Sequence, residues 1–183
     1  MSKGSDTRRR IIDAAEEVVL RDGVGRLTLD AAAAEAGLSK GGVLYHFASR
    51  DALVAGMVDR IVDEFDGDLA ERMGDATSPG AFTRAYIRST LEPGRAERTR
   101  EDRLGAALIA AVAAQPELIR PLQRAFDRWQ ARIEADGIDP ARATLLRLAA
   151  DGLWLSQLFG LAAPPADLRA RLGAELERMV NGR

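Results

Sequence analysis

The sequence predicts an all-α protein of about nine helices, and three observations carry that expectation. Apolar residues recur every three or four positions through most of the chain, the spacing that lines one face of a helix. The runs are separated by clear breaks, at GDATSPG (74–80), at Asp139-Pro140 and at Pro164-Pro165. No segment alternates with the period of two that a half-buried strand requires, and no repeat is present. With 183 residues, 46% of them hydrophobic, the chain can bury one large core or two smaller ones.

In chain order, residues Met1 to Asp6 read as a polar tail. From Arg8 to Asp22, Ile11, Ile12, Ala15, Val18 and Val19 form one apolar stripe, with Asp13, Glu16 and Glu17 outside it. The triplet Arg8, Arg9, Arg10 is either a phosphate-contacting edge or a solvated basic helix start. Gly23 ends this helix. No strand precedes Gly23-Val24-Gly25, so the pair of glycines reads as a turn rather than a phosphate-cradling loop.

That turn delivers TLDAAAAEAGLSKGGVLYHF, Thr28 to Phe47. Thr28 is a good N-cap, and Asp30 suits the positive end of the helix that follows. The alanine-rich run allows close packing against a neighbour. Gly37 sits where a left-handed helix-ending residue is needed. Ser39 is an N-cap again and starts a second short helix. Val43 and Phe47 share its inner face. Gly41, Gly42 and Tyr45 occupy the outer face, with Lys40, Leu44 and His46 at its margins. This is the layout of a helix-turn-helix, whose second helix enters the DNA major groove by its N-terminal end. The same pattern also occurs as an ordinary helical corner.

Ser49 caps the next helix, where Leu53, Met57, Ile61, Phe65 and Leu69 recur every four residues. It is long enough to belong to two domains. Ser78 and Pro79 read as N-cap and first residue of a helix through about Leu91. Glu92 to Arg103 reads as a solvated polar loop. Leu104, Leu108 and Val112 begin another helix, and Gln115-Pro116 makes a corner before Ile119, Leu122, Phe126, Trp129 and Ile133. From Pro140 to Phe159 the apolar residues cover more than one face, so both sides must be covered. Asp167 reads as the cap of a last helix with Leu168, Leu172, Leu176 and Val180.

Charge and composition exclude several function classes. Net charge is −2, so the chain is not a bulk polycation, and up to Arg50 eight basic residues face seven acidic ones. There is no cysteine, which removes disulfides and thiolate chemistry. No apolar run is long enough to cross a bilayer and no signal peptide opens the chain, so a cytoplasmic protein without a membrane partner is expected. His46 is the only histidine. It has no nucleophile-elbow context and no DxDxD-type loop exists, so neither catalytic residues, nor a metal site, nor a cofactor is expected.

The pieces TRRRIIDAAEEVVLRDG, LTLDAAAAEAGLSKG and LYHFASRDAL, all between Thr7 and Leu53, resemble the DNA-binding domain of the TetR (tetracycline-repressor-like) family of bacterial regulators. The likeness covers the first quarter of the chain. The rest matches only in being helical and of the right length. The resemblance implies a three-helix helix-turn-helix DNA-binding domain over 1–47, then a C-terminal ligand-binding and dimerisation domain over 48–183, with helix 49–73 connecting them. The expected DNA-binding residues are Thr28, Ser39, Lys40, Gly41, Gly42, Leu44, Tyr45, His46 and Arg50. One departure is visible: Leu44 stands where many members carry Tyr, so it cannot donate to a phosphate.

The function expected is a transcriptional regulator, a repressor rather than an activator. A homodimer is expected to bind a palindromic double-stranded operator and to let go when a small, largely apolar effector binds. In the family the last two helices pair with their mates as a four-helix bundle, which makes Leu155, Leu158, Leu168, Leu172 and Leu176 the candidate interface. Phe126, Trp129, Trp154, Gln157 and Phe159 are the candidate effector contacts. The alternative is a helical protein–protein adaptor whose helix-turn-helix is purely structural.

Overall fold

The computed structural model describes residues 3–91, 97–112 and 115–182. Among them are nine α-helices and no strand: α1 (Lys3–Asp22), α2 (Leu29–Ala36), α3 (Lys40–His46), α4 (Arg50–Met73), α5 (Ala81–Leu91), α6 (Glu97–Val112), α7 (Pro116–Glu134), α8 (Pro140–Leu158) and α9 (Ala166–Val180). The chain divides into two compact units. The first takes the chain up to Ile61 together with α6 and α7 as far as Leu122. The second takes Val62 through α5 together with Gln123 to the end of α9. These units are drawn differently from the expected division after residue 47, because α4 supplies the first unit with much of its core.

That first core gathers the α1 stripe of Ile11, Ile12, Ala15, Val18 and Val19 with Ala32, Ala33, Val43 and Phe47. Leu53, Val54, Met57 and Val58 enter from α4, and Leu104, Leu108 and Val112 from α6. Each large aliphatic side chain so buried contributes about 1.5–3 kcal/mol relative to exposure. Gly56 lets α4 come close: a Cβ there would lie 2.7 Å from Phe47 Cε1. Arg8 covers the same ring, its guanidinium 5.0 Å from the centroid.

Two expectations change here. The polar tail is helical from Lys3 on, since α1 begins there. Of the expected loop 92–103, residues 97–103 are the first turns of α6, and 92–96 lie outside the described residues. Charged stretches rich in Glu and Arg have good helix propensity, so polarity alone does not distinguish loop from helix.

In the second unit α5 is buried along nearly its whole length. Ile87 packs with Leu146 and Ala150 of α8 and Leu176 and Val180 of α9. The start of α5 departs from the expected Ser78-Pro79 cap. The helix begins at Ala81, and a distant residue caps it: Asp136 accepts from Phe82 N (3.1 Å), Thr83 N (2.7 Å) and Thr83 Oγ1 (2.7 Å). A carboxylate at a helix N-terminus satisfies orphan donors and favours the dipole. Gly80, at φ 78°, has no room for a side chain, because a Cβ would meet Val180 Cγ1 at 2.4 Å. Asp139 caps α8 as expected, accepting from Arg142 N at 2.8 Å. Asp167 does not cap α9. It lies in the first turn, behind Pro165, and no side chain caps that end.

Candidate nucleic-acid interface

Local sequence builds the two short helices of the first unit. Thr28 Oγ1 accepts from Ala31 N at 3.0 Å and starts α2. Gly37 ends it at φ 64°, and Leu38 N donates to Ala33 O at 2.9 Å, the wrap that closes a helix on a left-handed residue. Ser39 Oγ accepts from Gly42 N at 3.1 Å and starts α3. Val43 is fully buried and Phe47 nearly so, which fixes the inner face of α3 and turns the other side outward.

On that outer side the chain places a row of residues with little internal work. Tyr45 is 87% exposed and Leu44 is 42% exposed. The His46 ring is half-buried and stands edge-on to Tyr45, centroids 5.1 Å apart. A Cβ at Gly41 or Gly42 would have Ser39 Oγ as its nearest neighbour from the surrounding side chains, at 3.9 Å and 3.5 Å. Packing therefore does not require glycine at either position. Exposed polar and aromatic side chains on the outer face of a short helix, with small residues beside them, suit entry into a groove.

The cations around this face are mostly committed. Lys40 Nζ bonds Asp30 Oδ2 at 2.8 Å. Arg10 donates to Ala36 O at 2.9 Å, at the end of α2. Arg21 pairs with Asp22 and Glu35, and those carboxylates raise its pKa. Arg60 pairs with Asp13 and Glu16. Arg50, expected at phosphate, is turned inward: it donates to Leu27 O and Val24 O, each at 3.0 Å, and to Asp51 Oδ1 at 3.5 Å. It ties the turn before α2 to the start of α4. Arg26 is exposed on that turn, two residues before Thr28, and among the described residues its side chain has no partner. Nothing in the sequence singles out Arg26, because a lone arginine in a turn carries no pattern.

The second unit brings together only part of the expected effector set. Phe126 and Trp129 are in ring contact at 5.0 Å. Their companions are two residues not singled out from sequence: Phe65, 4.8 Å from Trp129, and Tyr86, 6.0 Å from it. Trp129 Nε1 donates to Asp66 Oδ1 at 2.6 Å. Tyr86 Oη donates to Asp151 Oδ1 at 2.8 Å, and Arg147 Nη1 holds the other oxygen at 2.7 Å. Burial, and then the neighbouring Asp151 charge, push the Tyr86 phenol far above its ordinary range. Burial also raises Asp151, against the pull of Tyr86 and Arg147. Trp154 is half-buried, while Gln157 and Phe159 are exposed near the end of α8. Among the described residues no ring contact joins Trp154 or Phe159 to the cluster.

The expected interface residues are also split. Leu155 and Leu168 are exposed, Leu158 and Leu172 are half-buried, and Leu176 is buried in its own unit against Ile87 and Leu146. Leu145 at 67% and Leu148 at 51% exposure extend the uncovered apolar surface along α8. Among the described residues no cluster of His, Cys, Asp or Glu is placed to hold a metal ion, and no helix is long and apolar enough to cross a membrane.

Comparison with known proteins agrees with this geometry. Residues 11–57 match the family model for bacterial regulatory proteins of the tetR family, and residues 80–181 match the model for a tetracyclin repressor-like C-terminal domain. The HTH-type transcriptional regulator SrpR of Pseudomonas putida is 38% identical over 80 residues, which are 41% of this chain and 38% of that protein. The matched segment also spans only 60% of a second curated relative, the regulator TtgW of the same species. Among solved structures, a TetR-family member from Streptomyces coelicolor A3 is 27% identical with a TM-score of 0.73, over 93% of this chain and 98% of that one. The multidrug binding protein EbrR, complexed with ethidium, is 26% identical with a TM-score of 0.70, over 93% of this chain and 98% of its own.

Proposed function

The chain belongs to the tetracycline-repressor-like family of DNA-binding transcriptional regulators, and from that membership we propose that it is a repressor, dimeric on an inverted-repeat operator and released by a small aromatic effector. The observation that carries the DNA half of this reading is α3, capped by Ser39, anchored by Val43 and Phe47, and free on its outer face. Lys40 reaches phosphate or a guanine edge, Tyr45 and His46 contact phosphate or thymine methyls, and the α2 N-terminus at Thr28 receives a phosphate. One such helix reads too few bases to find a single site in a genome, and a two-fold dimer doubles them. The uncovered leucines of α8 and α9 support that dimer.

The effector half is supported by the aromatic cluster of the second unit and by the ethidium complex of EbrR. The helix α4 belongs to the first unit as far as Ile61 and to the second from Val62, just as α7 divides after Leu122; α4 is the one that leads directly on from α3, and it is the path proposed for effector binding to be felt there. Release requires that the effector prefer the DNA-free state, by about 5 kcal/mol to go from mostly bound to mostly free. Linkage then weakens effector binding by the same factor when operator is present.

The test starts from duplexes the protein enriches out of a random DNA pool. Replacing Lys40 or Tyr45 by Ala is expected to weaken binding to the enriched duplex by roughly 1–3 kcal/mol with the unfolding midpoint unchanged. Ethidium titrated with and without that duplex, with its intercalation into the duplex alone measured and subtracted, is expected to bind the protein more weakly in the presence of DNA. Full-strength DNA binding by a folded double variant favours the adaptor reading instead. Equal ethidium affinities remove ethidium as an effector.

A further inference from the structure

We infer that Asp30 is a specificity-determining residue, holding Lys40 away from DNA phosphates so that only a base edge draws the ammonium out; the inference rests on the regulator reading above. Lys40 opens α3 and Asp30 lies in the first turn of α2. Their 2.8 Å contact joins the first turns of the two short helices of the helix-turn-helix. Both side chains are well exposed, 58% for Lys40 and 65% for Asp30. An exposed ion pair of this kind adds little to folding stability. Its effect lies in what an approaching duplex meets.

A backbone phosphate that takes the ammonium must displace one anion and then remain beside it. The lysine gains a partner of the same charge type, while phosphate and Asp30 repel each other. The exchange returns little. A guanine edge presents two neutral acceptors, O6 and N7. It engages the ammonium without setting a second negative charge against Asp30. The carboxylate therefore penalises non-specific contacts more than a specific one, and specificity is a difference of that kind. The setting strengthens the effect, since Arg10, Arg21 and Arg50 are also committed within the chain, Arg26 being the exception.

The experiment uses the full chain, the duplex enriched from a random pool by the wild-type protein, and an unselected duplex of equal length. Affinities are measured over a series of salt concentrations for wild type, Asp30→Asn and Asp30→Glu. Asp30→Asn is expected to tighten binding to the unselected duplex roughly three- to tenfold and to steepen its log–log salt slope by about 0.9, one further counterion released. The enriched duplex gains less, so the specificity ratio falls. Asp30→Glu keeps the ion pair and the wild-type ratio. Adding Lys40→Ala to Asp30→Asn abolishes the gain. Equal tightening on both duplexes overturns the inference, making Asp30 a general repulsive charge. An altered unfolding midpoint with an unchanged salt slope overturns it as well, assigning Asp30 to the fold. A pool that enriches no sequence overturns the regulator reading with it.

Discussion

Tyr86 and Asp151 lie 65 positions apart, yet their hydrogen bond favours the charged form of a half-buried carboxyl in the second unit. Asp151 keeps two partners, Tyr86 Oη and Arg147 Nη1. Because burial raises its pKa, the stability this group contributes is complete below the ordinary carboxylate value of about 3.9 and is lost as pH rises through the folded value. The Tyr86 hydrogen bond opposes that rise by favouring the charged form. Tyr86→Phe therefore moves Asp151 further up and leaves a half-buried carboxylate with one partner fewer. The expected cost is on the order of 1–3 kcal/mol at neutral pH. Urea unfolding at pH 4.5 and pH 7.5 checks the sign: the cost is expected to be smaller at pH 4.5, where the carboxyl is nearer its neutral form. An equal cost at both values would show that Asp151 is not the responding group.

At the scale of elements, Gly56 shows how one position governs the meeting of helices. Alanine in a helix interior gains up to about 1 kcal/mol over glycine. Here the added Cβ would sit 2.7 Å from a Phe47 ring that is itself buried. The ring is almost wholly enclosed, and overpacking typically costs about 1–3 kcal/mol. Gly56→Ala is expected to lower the unfolding midpoint and, because Phe47 closes α3, to weaken DNA binding. A raised midpoint would mean that the ring yields without strain. The elements differ in how far they could be read from sequence. α2 and α3 were legible nearly to the residue, since Thr28, Gly37 and Ser39 act on backbone groups within three or four positions. The start of α5 was not, because Asp136 reaches it from 53 and 54 positions away. The outward-turned residues of α3 followed from helical phase, whereas the inward turn of Arg50 depends on carbonyls of Val24 and Leu27. The aromatic cluster escaped for the same reason. Phe65 looked like one more member of a stripe, and nothing near Tyr86 in sequence points to Trp129.

For the whole molecule, the leucines of α8 set the assembly expected. Leu148 is half exposed and absent from the core of its own unit, so Leu148→Glu is expected to leave the monomer folded while placing a charge in a dimer contact. Sedimentation at micromolar concentration is expected to give about twice 19.7 kDa for the wild type and 19.7 kDa for the variant. An operator duplex is then held by the variant through one half-site only. A wild type that sediments at 19.7 kDa removes the dimer.

The scarcity of uncommitted cations beside α2 and α3, Arg26 apart, also bears on the search for the proposed operator. A chromosome offers on the order of 10⁶–10⁹ competing positions, and the time a regulator loses on them grows with its affinity for any phosphate backbone. With Lys40, Arg10, Arg21 and Arg50 already engaged within the chain, each stop on unrelated DNA is brief. On the regulator reading proposed above, a small number of copies per cell is then expected to keep one operator occupied, each copy spending more of its life in solution, where the proposed effector meets it.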